Sequence, residues 1–215
     1  VPPVMSYFLC DCWYVSEKII NTFAVNGFHT IGALKTNRML YPSGIRKKLS
    51  EFTALLSVTH SDFDLVTVKN RNYYVYRYEG KLNGIENAVV LLSYPENAFG
   101  KPKALRAFIS TDVSLSTNEI LSYYVCRWSV EVFFRQCKDK LALDSYQIRS
   151  AQGICRYWLI MSLAHYICVA GTVELCSFEN GYHQICDIID NEKYQYLFQC
   201  AKECDDFNSF IKLIA

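Results

Sequence analysis

Near its start the chain changes pattern twice over a short span. "VMSYFLCDCWY" (4–14) is an apolar run that closes on an acid and is bounded by Pro2 and Pro3. It reads as a buried strand. "SEKIINTFAVNG" (16–27) brings a serine cap, helical apolar spacing and a closing Gly27, the marks of a helix with both ends signalled. "FHTIGALK" (28–35) is a second strand. Strand, helix and strand in this order make a βαβ unit and a parallel pair, so the fold class is α/β. The unit also sets Asp11 at the carboxyl end of a strand, where open α/β sheets hold ligands in a crevice. A helix N-cap or a plain loop acid is the other reading of Asp11.

The middle of the chain changes character. "FDLVTVKN", "NYYVYRYEG", "IENAVVLLSY" and "KALRAFIST" are rich in β-branched and aromatic residues and are separated by turn residues, as in a block of antiparallel strands. From Ser116 the spacing turns helical, with a capping start at Ser116 or Thr117 and a long polar-striped helix after it. Further helices are expected over 151–173, the most apolar part of which reads as buried, and from Gln184 to the end in shorter pieces.

Half of the 215 residues are hydrophobic and 15% are aromatic, which excludes a disordered chain. No run of about eighteen apolar residues occurs, so a membrane span is not indicated. The net charge of +1 gives no global signal for a polyanion partner. The local distribution does: "LKTNRMLYPSGIRKK" carries five cations and no acid, while acids gather in "CDIIDNEKYQ" and "KECDD". The ten cysteines show no zinc spacing, since Cys10-x-Cys12 and Cys200-x3-Cys204 are lone pairs. Cys126, Cys155 and Cys168 fall where apolar helix residues would go, and free thiols in a reducing cytosol are expected. The chain opens without a methionine and runs straight into a strand, from which a missing N-terminal part is expected.

"YYVCRWSVEVFFRQCKDKL" (123–141) concentrates the chemistry. On an ideal helix, at about 100° per residue, Arg127 lies roughly 40° from Glu131, Tyr124 and Lys138 roughly 20°, and Arg135 roughly 40°. One carboxylate, one phenol and three cations thus share a stripe, with Val125, Val132 and Phe133 on the other side. Arg127, Glu131 and Arg135 are four apart, so a salt-bridged surface stripe is one reading. Cations with aromatics around one carboxylate also suit a phosphate backbone and an unstacked base beside a metal. Asp11 and Glu131 could share hard divalent cations through oxygen ligands, which would activate water in phosphodiester chemistry.

Tyr124-x2-Arg127-x3-Glu131-x6-Lys138 matches the Y-(2)-R-(3)-E-(6)-K signature, and here the chain resembles the DDE transposases of the insertion-sequence-four group. The likeness extends to Trp128 after the arginine, Phe134 after the glutamate and "KLALDSYQIRS" after the lysine. Upstream, "FLCDCWY" is similar to the segment with the second catalytic aspartate, and "AFISTDVSLSTNEIL" to the last core strand leading into the glutamate helix. The resemblance covers roughly Ser6 to Gly171.

It implies a ribonuclease H-like core, incomplete at its N-terminus, with an antiparallel β insertion and a helical C-terminal part. The divisions expected are 1–36 for the first part of the core, 37–103 for the insertion, 104–150 for the last strand and glutamate helix, and 151–215 for the helical region. Asp11 and Glu131 would be the catalytic acids and would bind Mg²⁺, with Mn²⁺ able to substitute. Tyr124, Arg127, Lys138 and Arg135 would grip DNA. Trp128 would pack beside them or belong to the core. The implied partner is double-stranded DNA at transposon ends, handled by a homodimer in the bacterial cytoplasm at the nucleoid, without a membrane.

One departure matters: no residue before Asp11 can serve as the family's first aspartate. Asp112 falls in the strand before the glutamate helix, where no catalytic acid is expected, and Asp62 and Asp64 fall in the insertion. The resemblance therefore implies a C-terminal fragment, catalytically impaired or reduced to DNA binding. His29, His60, His165 and His183 have no ligand spacing and read as structural or surface residues. Arg149, Arg156 and the "IRKKL" segment (45–49) are further DNA-contact candidates, with solvated surface as the alternative.

Overall fold

In the computed structural model, which describes residues 4–56, 62–171 and 177–214, the N-terminal strand β1 (Ser6–Cys10) and β2 (Phe28–Leu34) pair in parallel around α1 (Glu17–Val25). Ser16 caps α1, its Oγ accepting from the Ile19 amide at 3.4 Å. Asp11 is thus not the cap. Gly32 lets β1 and the following turn close on β2, because a Cβ there would stand 2.7 Å from Val15 Cγ2 and 2.8 Å from Cys10 Sγ. Phe8 stacks on Phe23 with ring centroids 3.7 Å apart, which ties α1 to the sheet. Pro2, Pro3, His60, Cys176 and the expected helix end at Val173 lie outside the described residues.

The strands that follow are β3 (Met39–Leu40), β4 (Lys47–Lys48), β5 (Asp64–Val68), β6 (Arg71–Leu82), β7 (Ile85–Pro95) and β8 (Arg106–Ser110), with α2 (Leu49–Leu55) after β4. Their order in one sheet is β1-β2-β8-β7-β6-β3-β4, with β5 on β6. All pairings except β1 with β2 are antiparallel. Tight turns set the long hairpins: Lys69–Asn70 joins β5 to β6, and Asn83–Gly84 joins β6 to β7. Asn-Gly is a strong signal for a two-residue hairpin. The β1 strand is an edge, paired only with β2 among the described residues.

Alternation along β7 splits the core into two faces, as the two-residue period of a strand requires. Val90, Leu92 and Tyr94 pack with Ile20 of α1, Leu34, Tyr78 and Ile109. Val89 and Leu91 pack with Ile31, Val66, Val75 and with Ile120 and Leu121 of α3 (Thr117–Cys126). Ser116 begins α3 with a capping box: its Oγ accepts from the Glu119 amide at 3.3 Å and its own amide donates to Glu119 Oε2 at 2.8 Å.

The single long helix expected from the stripe is two helices. α3 ends at Cys126 and α4 runs Trp128–Leu141. Between them the Arg127 amide donates to Tyr124 O at 3.1 Å, a turn tightened by one residue. The chain divides nearby into two units, Val1–Ser129 and Val130–Ala215. The second unit holds the rest of α4, α5 (Ala151–Ala170), α6 (Phe178–Lys202) and α7 (Phe207–Ile214). Its centre is Cys137, Leu143 and Met161 with Phe133, Tyr157 and Trp158. His165 bonds Gln136 Oε1 at 2.9 Å and stacks on Phe178, and burial pushes its pKa down.

Two further elements differ from the sequence expectation. α6 is one helix, not shorter pieces, because Ser177 caps it and no proline interrupts it. α5, read as buried, buries only Met161 and Cys168, and leaves Leu159, Ile160, Leu163 and Tyr166 exposed. Its apolar residues run all round, and the described residues pack on one side only. By length and composition alone α5 could cross a membrane. The nine cysteines among the described residues are free thiols, with Cys168 buried but Cys126 and Cys155 exposed.

Candidate active site

Asp11 stands where the sequence puts it, in the turn leaving β1. Its carbonyl accepts from the Tyr14 amide at 3.0 Å and its Oδ1 from the Cys12 amide at 2.6 Å. The side chain is half-buried and lines a pocket of about 820 Å³ within the first unit. Tyr124 of α3 lines the same pocket, its ring tilted against Phe108 at 4.7 Å. The Arg127 guanidinium lies 5.5 Å from the centre of the Tyr124 ring, within cation–π range.

Electrostatics show the same grouping. Burial pushes the Tyr124 phenol up, the Arg127 charge opposes it, and the Asp11 carboxylate adds to the rise. Burial pushes the Cys10 thiol to about 11, with Asp11 reinforcing and Arg127 opposing. Asp11 therefore shares one local field with Tyr124 and Arg127, which follow it by more than a hundred residues in sequence. An acid, a phenol and a guanidinium at one strand end can bind a cation and a phosphate side by side.

The other stripe residues belong elsewhere. Trp128, in the first unit, is 54% exposed and is not a core tryptophan. Glu131, half-buried, and the exposed Arg135 and Lys138 lie on the part of α4 in the second unit. Val125 packs in the first unit and Phe133 in the second, as their side of the stripe suggested.

Asp112 is 5% exposed and fully engaged. Tyr7 Oη donates to its Oδ2 at 2.8 Å, and Ser114 donates to its Oδ1 from N at 3.0 Å and from Oγ at 2.6 Å. Burial would raise its pKa, but these donors and His29 outweigh it and hold the carboxyl below its ordinary value. Tyr7 responds in kind: burial and the bond to Asp112 push its phenol to about 12. This acid braces the turn between β8 and α3.

A divalent metal fits the donor chemistry of Asp11, a hard oxygen ligand lining a pocket. No group of three or more His, Cys, Asp or Glu able to hold a metal occurs among the described residues.

The sequence did not single out three cations that line the same pocket: Lys69 and Arg71 at the β5–β6 turn, and Arg106 at the start of β8. They come from distant strands at unremarkable spacing, so only sheet register unites them.

Residues 2–167 match the family model described as Transposase DDE domain. No curated protein matches the chain significantly.

Proposed function

The chain belongs to the transposase DDE-domain family, and from that premise we propose that it acts on double-stranded DNA at transposon ends, through phosphodiester hydrolysis and strand transfer. Within the family its place is the insertion-sequence-four group, on the signature spacing of Tyr124, Arg127, Glu131 and Lys138. The architecture this reading implies would be a ribonuclease H-like core over 1–36 and 104–150, a β-rich insertion over 37–103 and a helical region over 151–215. The observation that carries the proposal is the meeting of Asp11, Tyr124 and Arg127 at the end of β1.

Mg²⁺, or Mn²⁺ in its place, would supply Lewis acidity and an activated water. Asp11 and Glu131 would be its carboxylate ligands. Arg127, steadied over Tyr124, would meet a phosphate with charge-assisted guanidinium donors. Lys138 and Arg135 continue the grip as exposed cations on α4. Trp128 presents an exposed ring to a base. The working assembly is a homodimer, each copy holding one DNA end.

A second reading, DNA binding without cleavage, is favoured by Asp112. That buried acid is committed to Tyr7 and Ser114, so it does not complete a three-carboxylate set with Asp11 and Glu131.

Fluorescence anisotropy with a labelled duplex over a salt series tests the shared DNA-binding core of both readings. Log affinity should fall linearly with log salt, by about 0.9 per phosphate contact. Arg127→Ala and Lys138→Ala should each weaken binding and flatten the slope by roughly one contact. Glu131→Ala should leave binding intact or tighten it. Absent or salt-insensitive binding would overturn the proposal. Cleavage of the duplex with Mn²⁺ present then separates the two readings.

A further inference from the structure

The pocket that Asp11 lines is lined by cations as well. Lys69, Arg71 and Arg106 are among its lining residues, and Asp11 is the only carboxylate among those described. None of the three cations is in an ion pair among the described residues, whereas Lys48, Arg77, Lys81 and Lys140 each hold a glutamate. Glu96 lines a smaller hollow with Arg71, but its Oε2 accepts from Asn72 at 3.0 Å. Arg106 is oriented by its own backbone surroundings, donating to the carbonyls of Lys103 and Leu105 at 2.9 and 3.0 Å.

Lys69 is also held in place. It and Asn70 form the two-residue turn between β5 and β6, with φ of 46° and 60°, a geometry that glycine or asparagine adopts more readily than lysine. A paired hairpin fixes the turn on both sides, with Val68 opposite Arg71. The pocket is also lined by apolar and aromatic side chains, among them Val68, Tyr73, Phe108 and Leu121. Unneutralised cations around such a surface suit a chain that alternates charged phosphates with flat bases.

We propose that Lys69, Arg71 and Arg106 are phosphate-positioning residues, a second cationic wall that carries the DNA backbone across the β5–β6 hairpin toward Asp11. This rests on the DNA-acting reading above and adds residues outside the Tyr-Arg-Glu-Lys signature. The wall acts on binding and on register, while the chemistry stays with Asp11 and Glu131.

The test uses the whole chain, a fluorescein-labelled duplex and a salt series. Combined Lys69→Ala, Arg71→Ala and Arg106→Ala substitution should flatten the log–log salt slope by about two to three contacts. Lys18→Ala with Lys101→Ala, outside the pocket, should leave it unchanged. Lys69→Asn guards against misfolding, because asparagine accepts the turn geometry. It should lose about one contact while the melting temperature holds or rises. A triple variant with the wild-type slope, in a protein whose Arg127→Ala variant is still impaired, overturns the second wall and leaves the DNA-acting reading standing. A wild-type chain that does not bind the duplex overturns both.

Discussion

Two aspartates follow two strands of the same sheet and meet different surroundings. Asp11 leaves β1 into a turn, keeps partial exposure and lines a pocket. Asp112 follows β8 and is surrounded by donors. Its carboxyl is held below its ordinary pKa in the folded state. The stability this supplies is complete above the unfolded-state pKa, near 3.9, and is lost as pH falls through the depressed folded value. Asp112→Ala should cost about 1–3 kcal/mol at neutral pH, from stranding the Tyr7 hydroxyl and Ser114 amide. Urea denaturation should show the gap to wild type narrowing as pH drops below about 4. A pH-independent gap would mean that ionisation of Asp112 adds nothing. The strand-end position of Asp11 was legible in the sequence, because an apolar run closing on an acid has few readings. The bracing role of Asp112 was not, since its partner Tyr7 is 105 residues away.

Among the elements, the strands β5 to β8 and helix α1 could be read directly, from β-branched runs, turn residues and caps that act locally. The break between α3 and α4 could not. Apolar spacing continues through Arg127, and periodicity does not register one tightened turn. Helix α2 was missed because its start, "IRKKLSEF", reads as a charged loop until Leu49 and Thr53 are buried. The cap of α3 matters to the site because this helix carries Tyr124. Ser116→Ala should destabilise the protein by about 1 kcal/mol, through the lost bond to the Glu119 amide. It should also loosen Tyr124 against Phe108. Hydrogen exchange of the first turn of α3 is the check, and unchanged protection would show that sheet packing alone fixes the helix.

For the molecule as a whole, apolar surface remains to be accounted for. Leu159, Leu163 and Tyr166 on α5 are 72%, 58% and 66% exposed. Contiguous apolar surface of this kind drives association. Leu159→Glu with Leu163→Glu should reduce concentration-dependent self-association in sedimentation velocity, and an unaltered profile would exclude this face. The sequence pattern showed α5 as apolar and could not show which side finds a neighbour, because that depends on how the helices of its unit pack.

The proposal most open to direct test is that Asp11 and Glu131 would each serve as a ligand of the divalent metal. Iron(II)-mediated backbone cleavage tests it without relying on turnover. Iron placed where Mg²⁺ would sit, with ascorbate and peroxide, cuts the chain next to its ligands. The account predicts cuts close to residues 11 and 131 in the same sample, both suppressed by excess Mg²⁺ and both lost in Asp11→Asn. Cuts at only one of these positions, or a cut near 131 that persists in Asp11→Asn, would contradict it.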